Sequence, residues 1–206
     1  MVRVIQVKTK DPFAGFEELE DLLHVSSVPA KSLPPKTDPI TFAKQEWEGF
    51  NWLSPDEDRG RFLIDFVNSK EDAIVMGAKE TAKSLTFSIL VIWHQLYTNL
   101  KVWGIIAGSE DQAQITYNHY RRLLRTGKHM QSFLASEPRN TTAQLSNGAR
   151  TWCYAASYYR AHGEHPDGLI ADEAVLASRA QNGEVLKGAL GSVTTGGRRI
   201  MGSAPY

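Results

Sequence analysis

Cysteine is almost missing from this chain of 206 residues. Cys153 stands alone, so no disulfide can form within the chain, and the composition suits a reducing compartment. A charge excess of either sign is missing too. Lys plus Arg and Asp plus Glu number 23 each, giving a net charge of zero. Any contact with nucleic acid must therefore come from local patches, because the overall field offers no steering. Long apolar runs are also missing. The longest, Leu85 to Trp93, is interrupted by His94 and Gln95 and is too short to span a bilayer, so no membrane is expected. Met1 to Lys10 contains no apolar signal region or cleavage site, so no secretory leader is expected and the Asn140-Thr-Thr142 sequon stays idle. What is present is ordinary: 42% hydrophobic and 22% charged residues, a composition that excludes wholesale disorder.

The organisation changes near residue 40. Val2 to Val7 reads as an edge strand and Phe13 to Val25 as a short acidic helix. Ser26 to Pro39 carries Pro29, Pro34, Pro35 and Pro39, the composition of a linker. The reading is an N-terminal arm and linker over 1–39 and one domain over 40–206, without internal repeats. In that domain strand-like and helix-like segments alternate: a strand over Ala73–Met76, a buried helix over Lys83–Leu100 and a strand over Val102–Ala107. Ser109 caps the next helix, with Gln112 at the capping-box position and Ala113, Thr116, Tyr117, Tyr120, Leu123 and Leu124 as its apolar stripe. Asn147-Gly148 marks a hairpin between Thr141–Leu145 and Ala149–Tyr154, and two short strands follow at Gly168–Ala171 and Arg199–Met201. This alternation predicts an α/β fold with a mostly parallel sheet flanked by helices.

The segment with most chemistry is Gly77, Ala78, Lys79, Glu80, Thr81, Ala82, Lys83 and Ser84, between a strand and a long helix. It follows the phosphate-loop pattern G-x-x-x-x-G-K-[ST], with Ala82 in place of the second glycine. Inward-facing backbone N–H groups and the positive end of the helix cradle a polyphosphate; Lys83 reaches the β- and γ-phosphates, and Ser84 ligates Mg²⁺. A plain strand–turn–helix connection with a surface lysine is the alternative. If position 82 needs a positive φ, its methyl group costs about 1 kcal/mol or more. Gly168 to Ala171 then delivers Asp172 and Glu173 to the C-terminal end of a strand, where open α/β sheets bind ligands. Asp172 is expected to hold Mg²⁺, and Glu173 to orient and deprotonate the attacking water.

In that order these motifs resemble the N-terminal ATPase domain of the large terminase subunit of tailed viruses. Ile105–Ala113 resembles the family's second strand and following helix start. Asn147–Arg150, followed by Ala155-Ala-Ser157, Arg160 and Gly163, is similar to the segment leading into the acidic strand, and Arg199–Pro205 is similar to the coupling motif. The resemblance implies a P-loop NTPase of the type with an additional strand and a catalytic glutamate, incomplete at the C-terminus and truncated before the nuclease domain, so that DNA cleavage is not expected. It implies ATP and Mg²⁺ as cofactors and double-stranded DNA, the portal protein and the small terminase subunit as partners. It also implies a homo-oligomeric ring in the full-length protein, in the host cytoplasm and transiently at the procapsid portal vertex. By resemblance, Lys79 stands where the family often has an arginine acting on the transferred phosphoryl group, Gln45 matches the adenine-reading glutamine, and Ser203 and Ala204 sense the γ-phosphate. Another DNA-dependent ATPase or helicase, or an inactive nucleotide-binding remnant, are the alternatives.

Other features are weaker. Arg121, Arg122, Arg125 and Lys128 form a basic cluster that reads as a phosphate contact, a subunit surface or simply a solvated face. His162, His165, Cys153 and Asp167 fit no closed zinc pattern. Trp93, Trp103 and Trp152 read as core. Arg198 and Arg199 read as a loop charge pair, with a role toward a neighbouring subunit as the alternative.

Overall fold

The structure is a computed structural model and describes residues 35–76, 82–155, 165–174 and 184–203. These all belong to one compact unit, Leu33–Tyr206. The expected N-terminal strand and acidic helix lie outside the described residues.

Six strands form one sheet: β1 (Ala73–Met76), β2 (Val102–Ala107), β3 (Thr142–Gln144), β4 (Arg150–Ala155), β5 (Gly168–Ala171) and β6 (Arg198–Ser203). Their spatial order is β1-β6-β5-β2-β4-β3, and every pair is parallel except the β3–β4 hairpin. The additional strand implied by the resemblance is β6, which separates the strand entering the phosphate loop from the strand ending in the acidic pair. The hairpin turns at Gly148 with φ +82°, which glycine adopts without penalty, and Asn147 Oδ1 accepts from the Ala149 N–H.

Among the described residues the α-helices are α1 (Pro39–Glu46), α2 (Asp58–Asn68), α3 (Lys83–Tyr97), α4 (Glu110–Thr126) and α5 (Glu184–Gly191). Helices α1 to α4 share a core with Trp103, Ile105, Cys153, Ile170 and Ile200 of the sheet. On the opposite face Leu186, Ala189 and Val193 pack against Ile106, Trp152, Leu169 and Ala171. Adjacent residues Ile105 and Ile106 thus serve different cores, as the period of two in a strand requires. Gly168 stands opposite Trp103 in the β2–β5 register, and a Cβ there would lie 2.5 Å from the indole ring.

All residues from Thr86 to Leu96 are buried, which explains the continuous apolar character of α3. The helix ends at Tyr97 rather than Leu100. Thr98 turns extended, its hydroxyl donates to the His94 carbonyl at 2.8 Å, and the Leu100 N–H donates to that hydroxyl, so local side-chain bonds replace the last helical turn. In α4, Ser109 caps the Gln112 N–H, and the six expected stripe residues are the buried ones. Trp93, Trp103 and Trp152 are buried in the core. Arg198 is buried, not a loop charge: its guanidinium donates to the Phe66 and Ser69 carbonyls at the C-terminal end of α2 and lies 3.7 Å over the Phe66 ring. Arg199 pairs with Asp72 at 3.0 Å.

Candidate active site

Ala82 precedes helix α3 at its N-terminal cap position, with a left-handed backbone at φ +57° and ψ +26°. This is the position where the phosphate-loop pattern has glycine, and its conformation is the reason: an L-residue there is strained by about 1 kcal/mol or more. Among the described residues only one other non-glycine has positive φ, and it is Glu173 at +50°. The two strained positions sit on the two segments that the sequence assigns to one site. Ala82 offers no side-chain cap and the first turn of α3 has no acidic residue, whereas α1 and α4 are capped by Asp38 and Ser109 and α2 opens on Asp58. The positive end of α3 is therefore not offset by a cap or an acidic residue of its own first turn.

Asp172 follows β5 directly and is buried. Its backbone N–H donates to the Ile106 carbonyl of β2 at 2.9 Å, which fixes the turn on the sheet. The side chain reaches across to α3, where the Ser84 hydroxyl donates to Asp172 Oδ2 at 2.6 Å. The Glu173 N–H donates to Asp172 Oδ1 at 3.0 Å. On the neighbouring strand, a Cβ at Gly202 would lie 2.7 Å from Phe87 and 3.1 Å from Asp172 Oδ1, so only glycine leaves room for the carboxylate. Ser203, next along β6, is buried and stands opposite Met76 in the register. The end of β6 thus lies between the strand feeding the loop and the acid.

A further residue escaped the sequence reading. Thr116 of α4 is buried, and its hydroxyl donates to the same Asp172 Oδ2 that accepts from Ser84. Ser88, one turn after Ser84, donates to the Ser84 carbonyl at 2.8 Å and lies 3.3 Å from the Thr116 carbonyl, joining α3 to α4 at this level. A threonine within an apolar stripe reads as core; only its partner, 56 positions away in sequence, reveals it.

The remaining candidates divide. Lys83 is the first residue of α3 and half-buried. Gln45 lies exposed near the end of α1, apart from the hydrogen bonds around Asp172. Gly77, Ala78, Lys79, Glu80, Thr81 and Ala204 lie outside the described residues. Beside the site, a cavity of about 450 Å³ is lined by Glu46, Trp47, Phe50, Leu85, His119 and Arg122, among others. Burial and the neighbouring Arg122 hold the His119 imidazole below its usual range, against the opposing pull of Asp172. Among the described residues no three His, Cys, Asp or Glu side chains cluster as a metal cage. The groups that do meet, two hydroxyls and one carboxylate, are hard oxygens, fit for Mg²⁺ that keeps most of its coordination for phosphate and water.

No protein-family model matches the chain, and no curated protein matches it significantly in sequence. Solved structures do. The HK97 bacteriophage large terminase is similar at a TM-score of 0.59 and 16% identity, over 83% of this chain and 38% of that one. The Thermus phage P74-26 large terminase ATPase domain is similar at 0.52 and 18% identity, over 79% of this chain and 70% of that one. A variant of that domain gives 0.55 and 16%, over 79% and 71%. The chain has the fold of a phage large-terminase ATPase domain. In this terminase fold the strand order, with β6 inserted between β1 and β5, brings Ser84 and Asp172 to the C-terminal edge of one sheet. The chain spans well under half the length of the HK97 large terminase.

Proposed function

We propose that this chain is the ATPase of a viral DNA-packaging motor, hydrolysing ATP with Mg²⁺ to drive double-stranded DNA into a procapsid. The observation that carries this reading is the 2.6 Å hydrogen bond from Ser84 to Asp172, which joins the end of the phosphate-loop motif to the first of the two acids. The uncapped α3 N-terminus and the strained Ala82 and Glu173 support it.

In this reading Lys83, the N–H groups of the 77–84 loop and the α3 dipole hold the triphosphate. Ser84 and Asp172 would hold Mg²⁺, which would offset phosphate charge when bound. Glu173 accepts the proton of a water whose oxygen attacks the γ-phosphorus in line; the bond to the β–γ bridging oxygen breaks, releasing ADP and phosphate. Lys79 stabilises the charge on the transferred group, as a point charge without the planar fork of arginine. Gln45 reads the adenine. Ser203 and Ala204 pass the γ-phosphate state along β6 to the elements that grip DNA. In the assembled motor the full-length protein forms a homo-oligomeric ring and has the portal protein and the small terminase subunit as partners, in the host cytoplasm and transiently at the procapsid portal vertex.

Steady-state ATP hydrolysis by the chain and its Glu173→Gln variant tests this. Loss of about 100-fold or more in the variant, with ATP binding retained, is the expected result for removal of a general base. Equal, background-level rates in both would overturn the enzymatic reading.

A further inference from the structure

We propose that the outer face of α4 and the turn after it bind the phosphate backbone of a DNA duplex through Arg121, Arg122, Arg125 and Lys128. The proposal rests on the DNA-motor reading above and assigns the surface that touches the DNA. The chain as a whole is neutral, but its charges are segregated here. The 25 residues from Gln112 to Ser136 contain these four cations and no aspartate or glutamate. Arg122, Arg125 and Lys128 are exposed and Arg121 is partly so, away from the buried stripe of the helix. Asn140 Oδ1 accepts from Arg121 at 3.2 Å, and Glu137 pairs with Arg125. Neither Arg122 nor Lys128 makes an ion pair with any described residue, and both line one cavity with His119. Of the two acids in that cavity, Glu46 is buried and engaged by the His129 backbone and ring, which leaves Glu48 as its one exposed negative charge.

The chemistry of this face selects the partner. A protein partner needs an apolar patch at the centre of its contact, and among the described residues Ile115 is the only large exposed hydrophobic side chain on α4. A single strand is held by aromatic stacking. Tyr117 and Tyr120 are fully buried, with their hydroxyls donated to the Arg139 carbonyl and Gln95 Oε1. Trp47 is buried as well, and Phe50 is packed between Trp47 and Trp52. No aromatic platform is left for bases. Four cations in polar surroundings match a duplex backbone instead, which carries one negative charge per about 1.7 Å of its axis and is bound without reading bases. The buried side of the same helix carries Thr116, whose hydroxyl meets Asp172. The DNA surface and the nucleotide site thus stand on opposite sides of one helix.

The test titrates the whole chain into a fluorescently labelled duplex of about 30 base pairs, read by anisotropy between about 50 and 200 mM NaCl. Four phosphate contacts predict a roughly 100-fold loss of affinity across that range. The double variant Arg122→Gln, Lys128→Gln removes the two cations that have no ion pair. It is expected to bind about tenfold or more weakly at the lowest salt, and to lose only roughly tenfold across the range. Both side chains are exposed, so its melting temperature stays near that of the unsubstituted chain. The control Lys70→Gln, Lys187→Gln removes the same charge from exposed positions on other elements and keeps the full salt dependence. A 122/128 variant with unchanged affinity and salt dependence overturns the proposal. A control that weakens as much does so too, because net charge rather than this face would then be responsible. A single strand or polyglutamate bound as tightly as the duplex overturns the duplex assignment. A chain that hydrolyses ATP but binds no duplex overturns the proposal and leaves the ATPase reading in place; one that does neither overturns both.

Discussion

Replacing Ala82 by glycine isolates the backbone strain at the start of α3. At φ +57° and ψ +26°, Ala82 holds a conformation that costs an L-residue roughly 1–2 kcal/mol. Glycine removes that cost but makes the unfolded chain more flexible, an opposing term of about 0.4–1 kcal/mol. The net gain lies between about 0 and 1.6 kcal/mol, which for a chain of this size raises the melting temperature by up to roughly 6 °C. The Ala82 carbonyl, which accepts from the Thr86 N–H and hydroxyl, is untouched by the change. Ala82→Val supplies the control with the opposite sign, because a β-branched side chain tolerates positive φ still less. Differential scanning calorimetry of the three chains, without nucleotide, reads the effect. A glycine variant that melts lower than the unsubstituted chain, or a valine variant that melts higher, would refute the left-handed assignment and the explanation of why the motif has glycine there.

Burial holds the His94 imidazole down at about 3, helped by the Arg198 and Lys36 charges. The unfolded chain therefore takes up a proton first, near pH 6.5, so this residue's contribution to stability is full above pH 6.5 and is lost as pH falls toward 3. Urea melts at pH 7 and pH 4.5 should show His94→Phe losing about 2–3 kcal/mol less than the unsubstituted chain between those pH values; equal losses would contradict the buried neutral imidazole. Gln95 is buried; its amide nitrogen, with two protons to give, lies within 2.9–3.1 Å of the Lys101 and Arg150 carbonyls and the Thr151 hydroxyl, and its carbonyl accepts from Tyr120 at 2.8 Å. Gln95→Leu should cost about 3–5 kcal/mol in a urea melt, with part of it recovered in the double variant with Tyr120→Phe, and a loss under about 1 kcal/mol would refute the hub.

Local grammar was legible where a short segment carries its own cause. The stripe of α4, the Ser109 cap, the Asn147-Gly148 turn and the five strands in parallel pairing each rest on periodicity or turn chemistry within a few residues. The meeting of Ser84 with Asp172 was expected from the order of two motifs. What stayed hidden is non-local. Arg198 reads as a loop charge until its acceptors at Phe66 and Ser69, about 130 positions earlier, come into view. Thr116 is indistinguishable from a core residue in a stripe that includes alanine and leucine. The apolar pattern of α3 continues one turn past the helix end, to Leu100, while the bonds that decide the end at Tyr97 come from the small hydroxyl of Thr98.

The central claim is that the start of α3 and the end of β5 share one magnesium–triphosphate site. A crystal structure of the chain with a non-hydrolysable ATP analogue and Mn²⁺, read by its anomalous scattering, tests it most directly. The account predicts one manganese peak between the Ser84 hydroxyl and the Asp172 carboxylate, with phosphates on the N-terminal end of α3. Phosphates bound elsewhere, or a peak remote from Asp172, would contradict it.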